Sequence, residues 1–104
     1  MLDKIFEAQQ KAEEVKKRLD GIMVSGNAEN GKITVTSNGN RIIQSIHIDE
    51  GFFKAADREE LEELLAVAVN KAVEQAENLN QAEMAALSQS MLGSLGDLGN
   101  LFGK

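Results

Sequence analysis

The chain has no cysteine, no proline, no tryptophan and no tyrosine, and phenylalanine supplies all four of its aromatic side chains. Without cysteine there are no disulfides and no thiolate metal sites, a composition compatible with a reducing cytoplasm. With four phenylalanines and no tryptophan or tyrosine, a single domain of 104 residues has a thin core of its own, so burial against a second subunit is expected. The longest unbroken apolar run, Leu64 to Val69, is far too short to cross a bilayer. Met1 leads directly into mixed charge instead of an apolar signal segment, and the expectation is a cytoplasmic protein without a membrane partner.

Positive charge is also scarce. Eleven Lys and Arg stand against seventeen Asp and Glu, for a formal net charge of -6. The excess sits between residues 51 and 80, where Asp57, Glu59, Glu60, Glu62, Glu63, Glu74 and Glu77 outnumber Lys54, Arg58 and Lys71. Residues 1 to 20 are balanced. A globally acidic protein is repelled by nucleic acid at long range, so any contact with DNA needs a local basic patch.

What the chain does have is a patterned middle. Asn30-Gly31 and Asn38-Gly39 interrupt an alternating apolar stretch, and an Asn-Gly pair supplies the positive φ angles of a tight hairpin turn. With a two-residue turn at Asn30-Gly31, Ala28 faces Ile33, Gly26 faces Val35 and Val24 faces Ser37. With a second such turn at Asn38-Gly39, Val35 faces Ile42 and Ile33 faces Gln44. The predicted three-stranded meander has one apolar face of Ile22, Val24, Ile33, Val35, Ile42, Ile46 and Ile48. Its other face is mostly polar, with Met23 and Ile43 as the apolar exceptions.

A charged helix flanks the meander on each side. The first, roughly Leu2 to Asp20, sets Ile5, Ala8, Ala12, Val15 and Leu19 at spacings of three and four, a narrow seam for a partner helix or sheet and the expected dimer interface. Its opposite face alternates Lys4, Glu7, Lys11, Glu14 and Arg18, which reads equally well as a solvated, self-paired surface. Only part of the cluster Lys16-Lys17-Arg18 can pair within the helix. Gly21 then ends it, as a left-handed cap would.

Asp57 with Glu60 three residues on predicts the N-terminus of the second long helix, where the helix dipole accounts for the acidic cluster. Leu61, Leu64, Leu65, Ala68, Ala72, Ala76 and Leu79 form the stripe that would lie on the apolar sheet face. Gln81 to Gln89 contains no glycine, so the helix is expected to run on as an arm beyond the sheet. Residues 1–90 thus read as a single domain. Residues 91–104 read as a Leu/Gly-rich tail, either a loose terminus or a short segment that docks a protein partner.

Catalytic constellations are missing. Ser45, His47 and Asp49 have the residue types of a nucleophilic triad, but alternate residues on a strand lie about 7 Å apart, too far for direct hydrogen bonds. A metal site from His47, Asp49 and Glu50 fails because Glu50 points to the other face of a continuing strand. Gly51-Phe52-Phe53 looks like an apolar plug at the end of the sheet, not a phosphate loop. No enzyme activity, cofactor or metal is expected.

The segments "EAQQKAEEVKKRL", "GKITVTSNGNRIIQSIHID" and "LEELLAVAVNKAVEQAE", in this order, resemble the YbaB/EbfC-type nucleoid-associated proteins. The resemblance runs from about Lys4 to Ala82 and departs where Asp49-Glu50 replaces the usual Asp-Pro and where the Leu/Gly tail begins. It implies an α+β protein of αβββα order, a tweezer-like homodimer with helical arms, and a DNA-binding role at the nucleoid. On that implication the candidate contacts to duplex DNA, mainly to its phosphate backbone, are Lys16, Lys17 and Arg18, with Lys11, Lys32 and Arg41 weaker. The competing class is a protein-interaction module, which the acidic charge and the lack of aromatics for base stacking favour.

Overall fold

The structure, a computed structural model, describes the backbone from Leu2 to Phe102 and side-chain surroundings from Leu2 to Leu92. The order is α1 (Leu2–Asp20), β1 (Met23–Ala28), β2 (Ile33–Asn38), β3 (Ile43–Ile48), α2 (Glu50–Ala55) and α3 (Arg58–Phe102). The strands form an antiparallel sheet in the order β1-β2-β3, so the α+β meander flanked by helices is as the sequence pattern predicts. The 45 residues of α3, about 68 Å at 1.5 Å per residue, set the longest dimension of 71 Å.

The first hairpin has the expected register. Ala28 faces Ile33, Gly26 faces Val35 and Val24 faces Ser37. Asn30 and Gly31 hold φ of 54° and 86°, and the Lys32 N–H donates to the Glu29 carbonyl at 3.1 Å, closing the turn.

On this hairpin α3 lies unusually close. A Cβ built on Gly26 would fall on the Ala72 backbone nitrogen and the Ala68 carbonyl oxygen. The facing residues Ala68, Ala72 and Ala76 are fully buried, as are Ile33 and Val35. Small side chains on both partners let the helix backbone approach the strand, and Leu61, Leu64, Leu65 and Phe52 close the core around that contact. α3 covers β1 and β2 and leaves β3 largely open: Ile46, directly opposite the buried Val35, is 49% exposed.

The second connection departs from the expected tight turn. Val35 faces Ile46 instead of Ile42, and Ile33 faces Ile48 instead of Gln44. The chain stays out of the ladder from Gly39 to Ile42 because the nearly buried Asn38 side chain organises it: its Oδ1 accepts from the Asn40 N–H at 2.9 Å and the Ile42 N–H at 3.1 Å. Arg41 takes a φ of 66°. Because the shift is an even number of residues, Ile46 and Ile48 keep their expected face. Ile42 leaves the strand, and a bulge between Thr36 and Ser37 puts Ile43 opposite Ser37.

That wider loop is the seat of α1. The Gly39 N–H donates to the Leu19 carbonyl at 2.8 Å, and a Cβ on Gly39 would stand 2.7 Å from Leu19 Cδ2. The Asn40 amide donates to the Lys16 carbonyl at 2.8 Å and to Asp20 Oδ1 at 2.5 Å, capping the end of the helix. Gly21 closes the helix through its N–H to Arg18, at 3.1 Å, without the expected left-handed φ.

Two further departures concern α2 and the tail. Asp49 accepts from the Phe52 N–H at 3.0 Å and starts α2, a short helix where the sequence reads as a plug. Phe52 packs on the core as that plug would, but Phe53 is exposed. Asp57 precedes α3 as predicted, its carbonyl accepting from Leu61 at 2.9 Å. The helix continues through the glycines to Phe102. Each glycine weakens a helix by about 1 kcal/mol relative to alanine but keeps its N–H, so without proline the ladder is not broken. How the side chains from Gly93 onward pack, and so whether the leucines there dock on anything, lies outside the described residues.

Gly26→Ala is expected to cost at least about 2 kcal/mol, because the atoms in its way are helix backbone that no rotamer change can move. Gly31→Ala, with open space but a positive φ, should cost about 1 kcal/mol. Urea denaturation of the two variants gives the comparison. Asn38→Ala leaves two N–H groups without their acceptor and should lower stability by about 1–3 kcal/mol in the same assay.

Candidate nucleic-acid interface

α1 runs back along the middle of α3, and the seam between them divides the candidate cations into groups. Val15 and Leu19 are buried inside the single chain, Ala8 and Ala12 are half-buried, and Ile5 stays exposed together with Leu2 and Phe6. Burying two aliphatic side chains contributes about 1.5–3 kcal/mol each. Val15 packs where α1 faces α3, and Leu19 is buried against the Gly39 backbone at the end of the helix.

On one flank of the seam, Lys16 and Arg41 line a common groove with Glu13, Asn40, Asn80 and Met84. Sequence spacing gives no hint of that pairing, since Arg41 arrives from the β2-β3 loop. On the other flank Lys11 and Arg18 line a second groove with Glu14, Glu83 and Leu87. Here Arg18 forms an ion pair with Glu83 of α3. Lys17 is exposed on the outer side of α1, since its place in the helical turn sets it opposite Val15 and Leu19. The three consecutive cations therefore do not form one patch; they fan around the end of α1.

Lys32 is remote. It sits in the first turn, a strand of six residues or about 20 Å from Arg41, and its ammonium lies 3.8 Å from Asp49. Among the described residues no ion pair engages Lys11, Lys16, Lys17 or Arg41. The acidic cluster at the start of α3 is well separated from this end. From Glu63 to Asn80 the helix rises about 25 Å, roughly three Debye lengths at physiological salt.

The polar face of the sheet carries no reactive arrangement. Ser45 and His47 are exposed, opposite Thr36 and Thr34. Among the described residues no group of three or more His, Asp or Glu could hold a metal ion, and no helix is long and apolar enough to cross a membrane.

Residues 1–91 match the YbaB/EbfC DNA-binding family. A nucleoid-associated protein of Flavobacterium johnsoniae is 36% identical over 102 residues, covering 98% of this chain and 94% of that one. Another, from Thermodesulfovibrio yellowstonii, is 42% identical over 82 residues, 78% of this chain and 72% of that one. The crystal structure of an uncharacterized Helicobacter pylori protein superposes with a TM-score of 0.68 over 85% of this chain and 88% of that one; at 17% identity this shows a common fold. With its family match over residues 1–91 and relatives at these identities, the chain belongs to the YbaB/EbfC DNA-binding family.

Proposed function

We propose that the chain is a homodimeric, nucleoid-associated DNA-binding protein of the cytoplasm that grips duplex DNA through its phosphate backbone. Family membership supports DNA as the partner. The observation that carries the phosphate reading is the meeting of Lys16 and Arg41 in one groove at the middle of α3, about three screening lengths from the acidic cluster between Asp57 and Glu63, with Lys17 exposed on the outer side of the same end of α1. Lys11 and Arg18 are the second group, and Lys32, paired with Asp49, is the weakest candidate. Binding, not catalysis, is the role assigned.

Self-association is supported by apolar surface that one chain leaves uncovered. Ile46, Ile43 and Phe53 are exposed beside the core, and Leu2, Ile5 and Phe6 are exposed on the free half of α1. Ile46→Glu is expected to shift sedimentation toward monomer while the helical circular dichroism is retained. Leu19→Glu, by contrast, places a charge inside the chain's own core and should unfold it.

The DNA reading is tested with Lys16→Ala, Lys17→Ala and Arg41→Ala combined, none of which touches Val15 or Leu19. Affinity for all duplexes should fall alike, and the log-log salt slope should lose about one unit per contact removed in each subunit. Unchanged affinity and slope in a folded triple variant would reject these residues. No salt-sensitive binding by the unaltered protein would hand the function to the protein-interaction alternative.

A further inference from the structure

We infer that Glu83 sets the affinity for DNA by holding Arg18 in the place a backbone phosphate would take. The inference rests on the DNA-binding reading above and adds a residue to it that acts against binding. Arg18 and Glu83 are 65 positions apart, and among the described residues theirs is the ion pair that joins α1 to α3. A guanidinium fork matches carboxylate and phosphate oxygens with the same geometry, so the two compete for one donor set. Lys11 and Glu14 line the same groove, which therefore contains two cations and two carboxylates and is neutral as it stands.

The pair is built to be exchanged. The Arg18 side chain is 57% exposed and can be reached without moving the backbone, while Glu83 is 25% exposed on the wall of the groove. Burial of Val15 beside α3 and of Leu19 against Gly39 holds α1 in place beside the pair. An exposed pair of this kind is worth little, so a phosphate displaces Glu83 at small cost but not at none. Glu14, one turn before Arg18 on the same helix, can take up the guanidinium when Glu83 is removed. The carboxylates thus trim affinity without blocking the site.

The experiment measures duplex binding against salt for the unaltered protein, Glu83→Gln, Glu14→Gln/Glu83→Gln, Arg18→Ala and Arg18→Ala/Glu83→Gln, with Glu77→Gln as a control for loss of one negative charge elsewhere on α3. Glu83→Gln should bind about two- to fivefold more tightly, and the salt slope should steepen by about one unit for each arginine released once Glu14 is also replaced. The Glu14→Gln/Glu83→Gln variant should gain at least as much. In the Arg18→Ala background Glu83→Gln should gain no more than Glu77→Gln does. An equal gain with and without Arg18, or no gain in either glutamate variant, overturns the inference while salt-dependent binding by the unaltered protein keeps the DNA reading. Absence of salt-dependent binding in every variant overturns both. Thermal melting of each variant shows that the fold is intact.

Discussion

The structure depends on one close approach, the backbone of α3 resting on β1 at Gly26. A side chain on either surface at that point would lift the helix off the sheet, and the alanines at 68, 72 and 76 complete the contact from the other side. Because the helix is pinned there, its direction across the sheet is fixed. It covers β1 and β2, leaves Ile46 of β3 in solvent, and projects past the sheet as an arm. The uncovered strand and the arm are consequences of the same contact.

The arm in turn needs α1, and α1 is held at both its sides. Leu19 is fully buried against the Gly39 backbone, Val15 faces the arm, and the amide of Asn40 closes the end of the helix. The loop from Asn38 to Ile42 therefore serves the joint between helix and sheet as much as the turn between strands. It also delivers Arg41 beside Lys16, so the feature that anchors the helix is the one that assembles the unpaired cations.

Most of the fold could be read from local pattern. The period-two alternation of β1 and β2 and the Asn30-Gly31 turn gave the first register, and the three-four spacing on α3 identified the residues that lie on the sheet. Gly26, a glycine inside a strand, was itself a signal of close backbone approach. The second hairpin misled because Asn38 uses its side chain as a backbone acceptor, which an Asn-Gly pair does not announce. α2 was missed although Asp49 three residues before Phe52 is a capping signal. The site was less legible. Exposure of the cations followed from their position on α1, but the meeting of Lys16 with Arg41 and of Arg18 with Glu83 is long-range, and helical periodicity carries no information about it.

Net charge is a poor guide to partners in a molecule this elongated. A total of -6 would repel DNA if it acted from one centre, but screening divides a 71 Å body into regions that act separately. The acidic start of α3 lies about 25 Å along the helix from the groove that Lys16 and Arg41 share, so a phosphate approaching that groove meets mainly the charges within a Debye length of it. Those include Glu13, Glu14, Asp20, Glu77 and Glu83 as well as the lysines and arginines. The local balance is therefore close. On the phosphate-binding reading proposed above, what counts is therefore which cations stand free to meet a phosphate, and not the total charge.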